Sequence, residues 1–395
     1  MEDYETVKTH VKNYLVKNYR EDRDSDIFEI TLDKLDGLSN TNYVVNVINK
    51  NTSELILQLV YRKFGEISEV VDRDLETTIL NNLADKGIGP KILERDLINK
   101  KYRLDEYLAN TTPIAKEDQF NSSVLDQMNT ITNSYCLISY IYKYKITQDN
   151  GFKIDFNPYG TKGLGNTGYK IKQNMFNMCM KDMYTKAYQS FEVFAAQFKE
   201  HYSRDKDTAL YEKFDKFDHY MKNYHDLFMK VWPKEGFLVL NHNDVHRLNL
   251  IVRKEDKKIF ILDHEYASLN LIGNDLANYM NESNFNYSPE YYFDPSTIDF
   301  DFYYENYMKY LDEFCKIHVS FVQSIEGRFY IEKMRTKKYY INLHCVLNLF
   351  WLLYAGIYLN FPTEFLEGVS WSYFQHGIDR IEYYERAMKR MEEEQ

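Results

Sequence analysis

The stretch His242-Asn243-Asp244-Val245-His246-Arg247-Leu248-Asn249, followed fourteen positions later by Asp263, decides how this chain is read. Residues 248–252 and 259–262 are short apolar runs around the polar Arg253-Lys254-Glu255-Asp256-Lys257-Lys258, which is the pattern of a β-hairpin. With the turn centred near Asp256, Asn249 and Asp263 face each other at roughly 5 Å between Cβ atoms. Both can then offer oxygen to one hard cation. Asp244 sits in the loop entering the first strand, where a carboxylate can accept a hydroxyl proton. A base, an amide and a carboxylate at these spacings are the parts of an Mg²⁺-dependent phosphoryl-transfer site. The plain alternative is a surface hairpin whose Asp and Asn only favour turns. Three coincident spacings speak against it.

The bulk properties agree. A chain of 395 residues, 44% hydrophobic and 16% aromatic, can bury a large core and has the length of two domains. The net charge of −11 argues against nucleic acid as the main partner and suits a cationic small substrate. Cys136, Cys179, Cys315 and Cys345 lack metal spacing, and the acidic start Met1-Glu2-Asp3-Tyr4-Glu5 lacks an apolar signal core, so a cytoplasmic protein with reduced thiols is expected. The apolar run 345–361, interrupted by Asn348, reads as a buried helix and not as a membrane span.

Along the chain, an amphipathic segment (4–19) precedes strand-like runs at 28–32, 43–48 and 55–61, as in a small antiparallel sheet. The first connection, Asp36-Gly37-Leu38-Ser39-Asn40, can present backbone N–H groups and a hydroxyl to phosphate, although most such turns are only turns. Arg62 follows the third strand, and a helix over 68–86, ended by Gly87-Ile88-Gly89-Pro90, carries Glu76 where it could orient Arg62. Either could equally be a solvated surface charge. Two more strands, 91–93 and 102–108, end in a hinge at Tyr107-Leu108 whose backbone could hold an adenine edge. Beyond residue 108 the pattern turns helical, with long helix-rich segments at 118–144 and 181–232 and a Gly-, Asn- and Lys-rich insertion at 145–172 between them. The expected division is a nucleotide-binding domain over 1–108 and a helical substrate domain over 109–395.

Gly163-Leu164-Gly165-Asn166-Thr167-Gly168 satisfies G-x-G-x-x-G, but it lacks the surrounding strand, helix and distal acidic residue of a dinucleotide site. Farther on, Asp275, Asn278 or Tyr279, and Glu282 share one face of a predicted helix. Tyr287, Trp351, Tyr354, Tyr358, Trp371, Tyr373 and His376 add rings. An aromatic stripe at helical spacing is ordinarily core. Beside a carboxylate it can instead form a box for a quaternary ammonium.

These motifs, in this order, resemble the choline/ethanolamine kinases from about Phe28 to Arg386. The resemblance is carried by Gly37-Leu38-Ser39-Asn40, Tyr61-Arg62-Lys63-Phe64-Gly65, Asp72-Arg73 with Glu76, Gly87-Ile88-Gly89-Pro90-Lys91 and Arg103-Leu104-Asp105-Glu106-Tyr107. It continues through His242-Asn243-Asp244 with Asn249, Asp263-His264-Glu265-Tyr266, Asp275-Leu276-Ala277-Asn278 with Glu282, and Trp351. It implies an α+β, bilobal, protein-kinase-like fold that moves the γ-phosphoryl of ATP to choline or ethanolamine. It also implies Asp244 as base, Asn249 and Asp263 as Mg²⁺ ligands, and Gly37, Ser39, Asn40, Arg62 and Glu76 at the phosphates. Glu106 to Leu108 match the adenine hinge. Tyr266, Glu282, Tyr287, Trp351 and Tyr354 match the amine pocket, with Tyr373 or His376 near its rim. A homodimer is one assembly state that the resemblance allows.

The chain departs from the pattern at Asp36, where a Gly is usual, at His264, where Phe is usual, and at Tyr354, where choline-selective members often carry Trp. An ethanolamine-selective kinase, an aminoglycoside-type phosphotransferase and a catalytically silent nucleotide-binding scaffold remain the alternatives at this stage.

Overall fold

The computed structural model describes residues 2–18, 27–35, 40–64, 73–96, 99, 101–147, 153–158, 183–287, 290–359 and 372–394. These fall into two compact units, one of residues 1–113 with 250–265 and one of 114–249 with 266–395. Residues 109–113 and 250–265 group with the first unit.

In the first unit, β1 (Phe28–Leu35), β2 (Asn40–Asn49), β3 (Leu55–Phe64), β4 (Ile92–Arg95) and β5 (Tyr102–Glu106) form an antiparallel sheet of order β1-β2-β3-β5-β4. Alternation along the strands supplies its apolar face: Tyr43, Val45 and Val47 of β2 and Leu59 and Tyr61 of β3 are buried. The N-terminal helix α1 (Glu2–Asn18) packs onto this face through Val7, Val11, Tyr14 and Leu15, spaced to place one stripe inward. Helix α2 (Arg73–Asp85) carries acidic residues in its first turn, and the chain leaves it through Gly87 at φ +67°. A second sheet joins β11 (Ile259–Ile261), β10 (Leu250–Arg253) and β6 (Thr111–Pro113) in that order.

The predicted hairpin is present, but its register is Leu250 with Ile261 and Val252 with Ile259. The strands are therefore centred half a position before Asp256 and not on it. Loop parity is the cause. Arg253 N–H donates to Lys258 O at 2.9 Å, enclosing four residues, so the centre falls between Glu255 and Asp256. The Asp256 carboxylate clasps Arg253 at 2.9 and 2.6 Å, and Lys257 takes φ +58° to complete the turn.

The second unit carries α3 (Ser122–Cys136), β7 (Tyr142–Thr147), β8 (Lys153–Pro158), α4 (Tyr184–His201), α5 (Thr208–Lys222), α6 (Tyr224–Val231), β9 (Glu235–Asn241), β12 (Ser268–Leu271) and α7 (Asn274–Glu282). After a short β13 (Phe285–Asn286) and β14 (Tyr292–Phe293) come α8 (Phe300–Ile317), α9 (Val319–Gln323), α10 (Ile325–Met334), α11 (Lys337–Ile357) and α12 (Tyr373–Glu393). The helices expected over 181–232 are present. Residues 142–147 and 153–158, expected as helix end and insertion, instead pair as β7 and β8 and extend β9 and β12 into a four-stranded sheet. The Gly163–Gly168 motif lies outside the described residues, as do Gly37 and Ser39.

Helix α11 is long and apolar enough to cross a membrane, with hydropathy 1.4, yet 83% of that window is buried in the protein. It is the buried helix expected from its composition. Asn348 within it donates its Nδ2 to His344 O at 2.8 Å. Side-chain caps start the later helices: Asp299 accepts from the Asp301 and Phe302 amides, Thr336 from Tyr339, and Ser372 from Gln375.

Candidate active site

The loop after β9 is held from below by α7. Gly273 precedes this helix at φ +88°, where a Cβ would meet Tyr307 at 2.5 Å. Asp275, in the first turn, accepts from the backbone amides of His242 at 2.7 Å and Asn243 at 2.8 Å. Burial lifts the Asp275 carboxyl to about 7 against the pull of those two amides, and Asp244 adds to the lift. Asn243 sits at φ +69°. Its amide donates to Tyr266 O at 2.9 Å and Ser268 Oγ at 2.9 Å, and its Oδ1 accepts from Asn270 at 2.9 Å and Asn274 at 3.3 Å. A strained residue with a fully used side chain fixes the path of the chain into Asp244.

Two side chains flank the Asp244 carboxylate, and its backbone amide donates to His242 Nδ1 at 3.2 Å. Asn249 Nδ2 donates to the Asp244 carbonyl at 2.9 Å and to Oδ2 at 3.1 Å, which directs Asn249 Oδ1 away from the carboxylate. His246 Nδ1 accepts from the Leu248 amide at 3.2 Å, so its proton is on Nε2, 3.7 Å from Asp244 Oδ2. Asn278 donates to Val245 O at 3.3 Å and accepts from Trp351 Nε1 at 3.1 Å, joining this loop to α11.

The aromatic residues expected for an amine pocket come together in the second unit. Tyr266 lies edge-on to Tyr354, with ring centres 6.3 Å apart and planes at 82°. Trp351 lies 5.5 Å from Tyr354 at 78°, and Tyr373 lies 6.4 Å from Tyr354. Glu282 is 6% exposed and receives Arg380 Nη2 at 2.7 Å and the Tyr287 hydroxyl at 2.5 Å. His376, expected at the rim, is instead buried, where it accepts from Arg380 Nε at 3.3 Å and meets Tyr291 OH at 3.2 Å. Burial, with Arg380 beside it, holds His376 neutral. Arg380 escaped the sequence reading. It lies 98 positions from Glu282 with no local pattern to mark it, and only a basic residue on the inner face of a predicted terminal helix could have hinted at it.

In the first unit, Arg62 donates to Asp263 Oδ1 at 2.9 Å. Burial works against the Arg62 charge, but Asp263, Glu76 and Asp105 hold it more firmly protonated than usual. Asp263 leaves its strand at φ +60°. Glu76 does not bond Arg62 directly: it lies 2.8 Å from Arg73 Nη1 and 3.1 Å from Arg103 Nη1. Burial alone would raise the Glu76 carboxyl, but Arg103, Arg62 and Arg73 outweigh it and hold it at about 2. The role expected for Glu76 thus passes through charge alone, and Asp263 orients Arg62. Glu106 closes on Lys91 in both directions, its amide donating to Lys91 O at 2.8 Å and its carboxylate accepting the Lys91 amide at 3.1 Å. Glu106 and Leu108 line a cavity of about 180 Å³ with Lys91, Lys258 and Phe260. Asn40 opens β2 opposite Phe64.

Asp263 and Asn249 each carry a hard oxygen donor, the ligand type that Mg²⁺ takes alongside water and phosphate. The donor chemistry fits the ion.

The choline/ethanolamine kinase family model matches residues 33–391. The chain belongs to the choline/ethanolamine kinase family. Its structure is similar to that of choline kinase from Cryptosporidium parvum, at 16% identity and TM-score 0.61, covering 99% of this chain and 96% of that one. It also has a likeness to an ethanolamine kinase from Plasmodium vivax, at 15% identity and TM-score 0.49, covering 97% of this chain and 88% of that one. No curated protein matches the chain in sequence. The first likeness carries the fold: a protein-kinase-like α+β architecture with a small antiparallel sheet region and a helix-rich region. Family membership makes the chain a small-molecule phosphotransferase.

Proposed function

We propose that this kinase transfers the γ-phosphoryl group of ATP to the hydroxyl of choline, with ethanolamine as the competing acceptor, and so supplies phosphorylated headgroups for phospholipid synthesis. The observation that carries this reading is the Asp244 carboxylate, aligned by Asn249 on a strapped loop in the same unit as the Tyr266, Trp351 and Tyr354 rings. Asp244 accepts the hydroxyl proton at Oδ1 or Oδ2 as the phosphoryl group is captured. Ser39, Asn40 and Arg62 take the phosphates, and Glu106 to Leu108 the adenine. Asn249 and Asp263 would hold Mg²⁺, which would supply charge neutralisation at the phosphates. The ring faces hold the ammonium. Arg62 and Asp263 satisfy each other at 2.9 Å, which keeps both charges compensated until nucleotide and metal arrive. Free thiols at Cys136, Cys315 and Cys345 suit a reducing, cytoplasmic setting.

Product analysis tests the reading. Incubation with ATP, Mg²⁺ and choline should yield phosphocholine detectable by phosphorus NMR. Phosphorylated kanamycin with no phosphocholine would transfer the chain to the aminoglycoside class, and binding of ATP without any product would make it a silent scaffold.

A further inference from the structure

The counter-charge in the proposed amine pocket is already answered from inside the protein. Glu282 receives Arg380 Nη2 on Oε1 at 2.7 Å and Tyr287 OH on Oε2 at 2.5 Å, and Arg380 Nη2 also donates to Tyr287 OH at 2.8 Å, closing a three-membered ring of hydrogen bonds. Arg380 is 1% exposed. Its remaining nitrogens are used as well, Nη1 on Asn281 Oδ1 at 2.8 Å and Nε on His376 Nε2 at 3.3 Å, while its plane lies 3.8 Å from the Phe285 ring centre and 5.6 Å from that of Trp351. Burial keeps the Tyr287 phenol protonated and the His376 imidazole neutral. Within the ring of Glu282, Tyr287 and Arg380 one carboxylate is matched by one guanidinium; a second buried carboxylate, Asp379, joins the network only through Tyr291, which donates to it at 2.7 Å and meets His376 at 3.2 Å.

We propose that Arg380 is a specificity-determining residue: by occupying Glu282 it biases the pocket toward a quaternary ammonium and against a primary one. The proposal rests on the amino-alcohol reading above and deepens it. A primary ammonium enters with three N–H donors, each costly to bury without an acceptor. A trimethylammonium has none, and draws its stabilisation from ring faces and diffuse negative charge. Glu282, a buried carboxylate, has a donor on each oxygen and its charge matched. The Tyr266, Tyr354 and Trp351 rings, set at 82° and 78° to one another, remain as polarisable walls. The negative charge left uncompensated by any Arg or Lys in this unit's loop is Asp244, whose field reaches both Tyr287 and Tyr354. Arg380 acts through Glu282 and is a positioning residue, not a catalytic one.

Steady-state kinetics with choline and with ethanolamine on wild type, Tyr287→Phe and Arg380→Gln test this. Wild type should favour choline in kcat/KM by about tenfold or more. Tyr287→Phe releases one Glu282 oxygen and should move the ratio toward ethanolamine by about threefold to tenfold, chiefly through a lower KM for ethanolamine. Arg380→Gln should move it further. If that buried change prevents folding, as read by circular dichroism, Tyr287→Phe alone decides. A purely structural ion pair would alter stability and leave the ratio alone. The proposal is overturned by a wild type that prefers ethanolamine, or by a folded Tyr287→Phe whose ratio is unchanged or shifts toward choline. Absence of turnover with both amines would remove the amino-alcohol reading itself, a different failure from a wrong ratio.

Discussion

Asp244 depends on neighbours that do no chemistry themselves. Asn249 fixes its carboxylate at 3.1 Å, and Asp275 fixes the backbone ahead of it. Asp244→Asn should lower kcat by about 10²–10⁴ while the KM for ATP stays within about twofold, because the base is lost and the nucleotide contacts are not; a kcat within threefold of wild type would remove Asp244 from that role. Arg62→Ala should raise the KM for ATP by about tenfold with a smaller change for the amine, in keeping with a lost charge-assisted phosphate contact. Asp275 gives a pH prediction with a definite sign. Its folded value, about 7, lies above the ordinary 3.8, so the fold favours the protonated form. That stabilisation is complete below the ordinary value and fades as pH rises through about 7. The difference in unfolding free energy between wild type and Asp275→Asn should therefore drift by roughly 2–4 kcal/mol between about pH 4 and 8. A difference flat across that range would show that burial does not raise this carboxyl.

At the scale of elements, Asn243 and α1 bear most directly on the site. Asn243→Ala loses a side chain that spans the loop and β12 and keeps φ +69°, whereas Asn243→Gly loses the side chain but accepts that backbone. The Ala variant should therefore be less stable than the Gly variant by about 1 kcal/mol in urea denaturation, with both about 2–4 kcal/mol below wild type. Equal losses would mean the backbone is unstrained. Val11→Ala on α1 should cost about 2 kcal/mol, since two buried methyl groups leave the sheet core. The strands of the first sheet were legible because their alternation is local, and α11 because its apolar run is continuous. β7 was missed although its signal exists: Tyr142, Tyr144 and Ile146 are buried and the two lysines between them are not, a period of two masked by its lysine-rich surroundings. The hairpin was found with its register one step off, because a four-residue loop has no central residue.

For the whole molecule, what stayed hidden in the sequence is what depends on distance along the chain. The Asp244 carboxylate was readable because its side-chain partners Asn249 and His246 lie within five positions, whereas the residues that strap the loop, Tyr266, Ser268, Asn270, Asn274, Asp275 and Asn278, lie 23 to 33 positions away from the groups they hold. The Arg62 to Asp263 pair, 201 positions apart, and the Arg380 to Glu282 pair, 98 apart, are products of folding. For the same reason the first unit takes back residues 250–265, which no composition shift announces. The central claim is that one chain, with Asp244 as base, phosphorylates a small amino alcohol. The most direct test is a coupled ADP-release assay with choline and ethanolamine on wild type beside Asp244→Ala. Saturable, amine-dependent ADP release that falls by about 10²–10⁴ in the variant is the predicted result. ADP release that ignores the amine, or a variant at full rate, would contradict it.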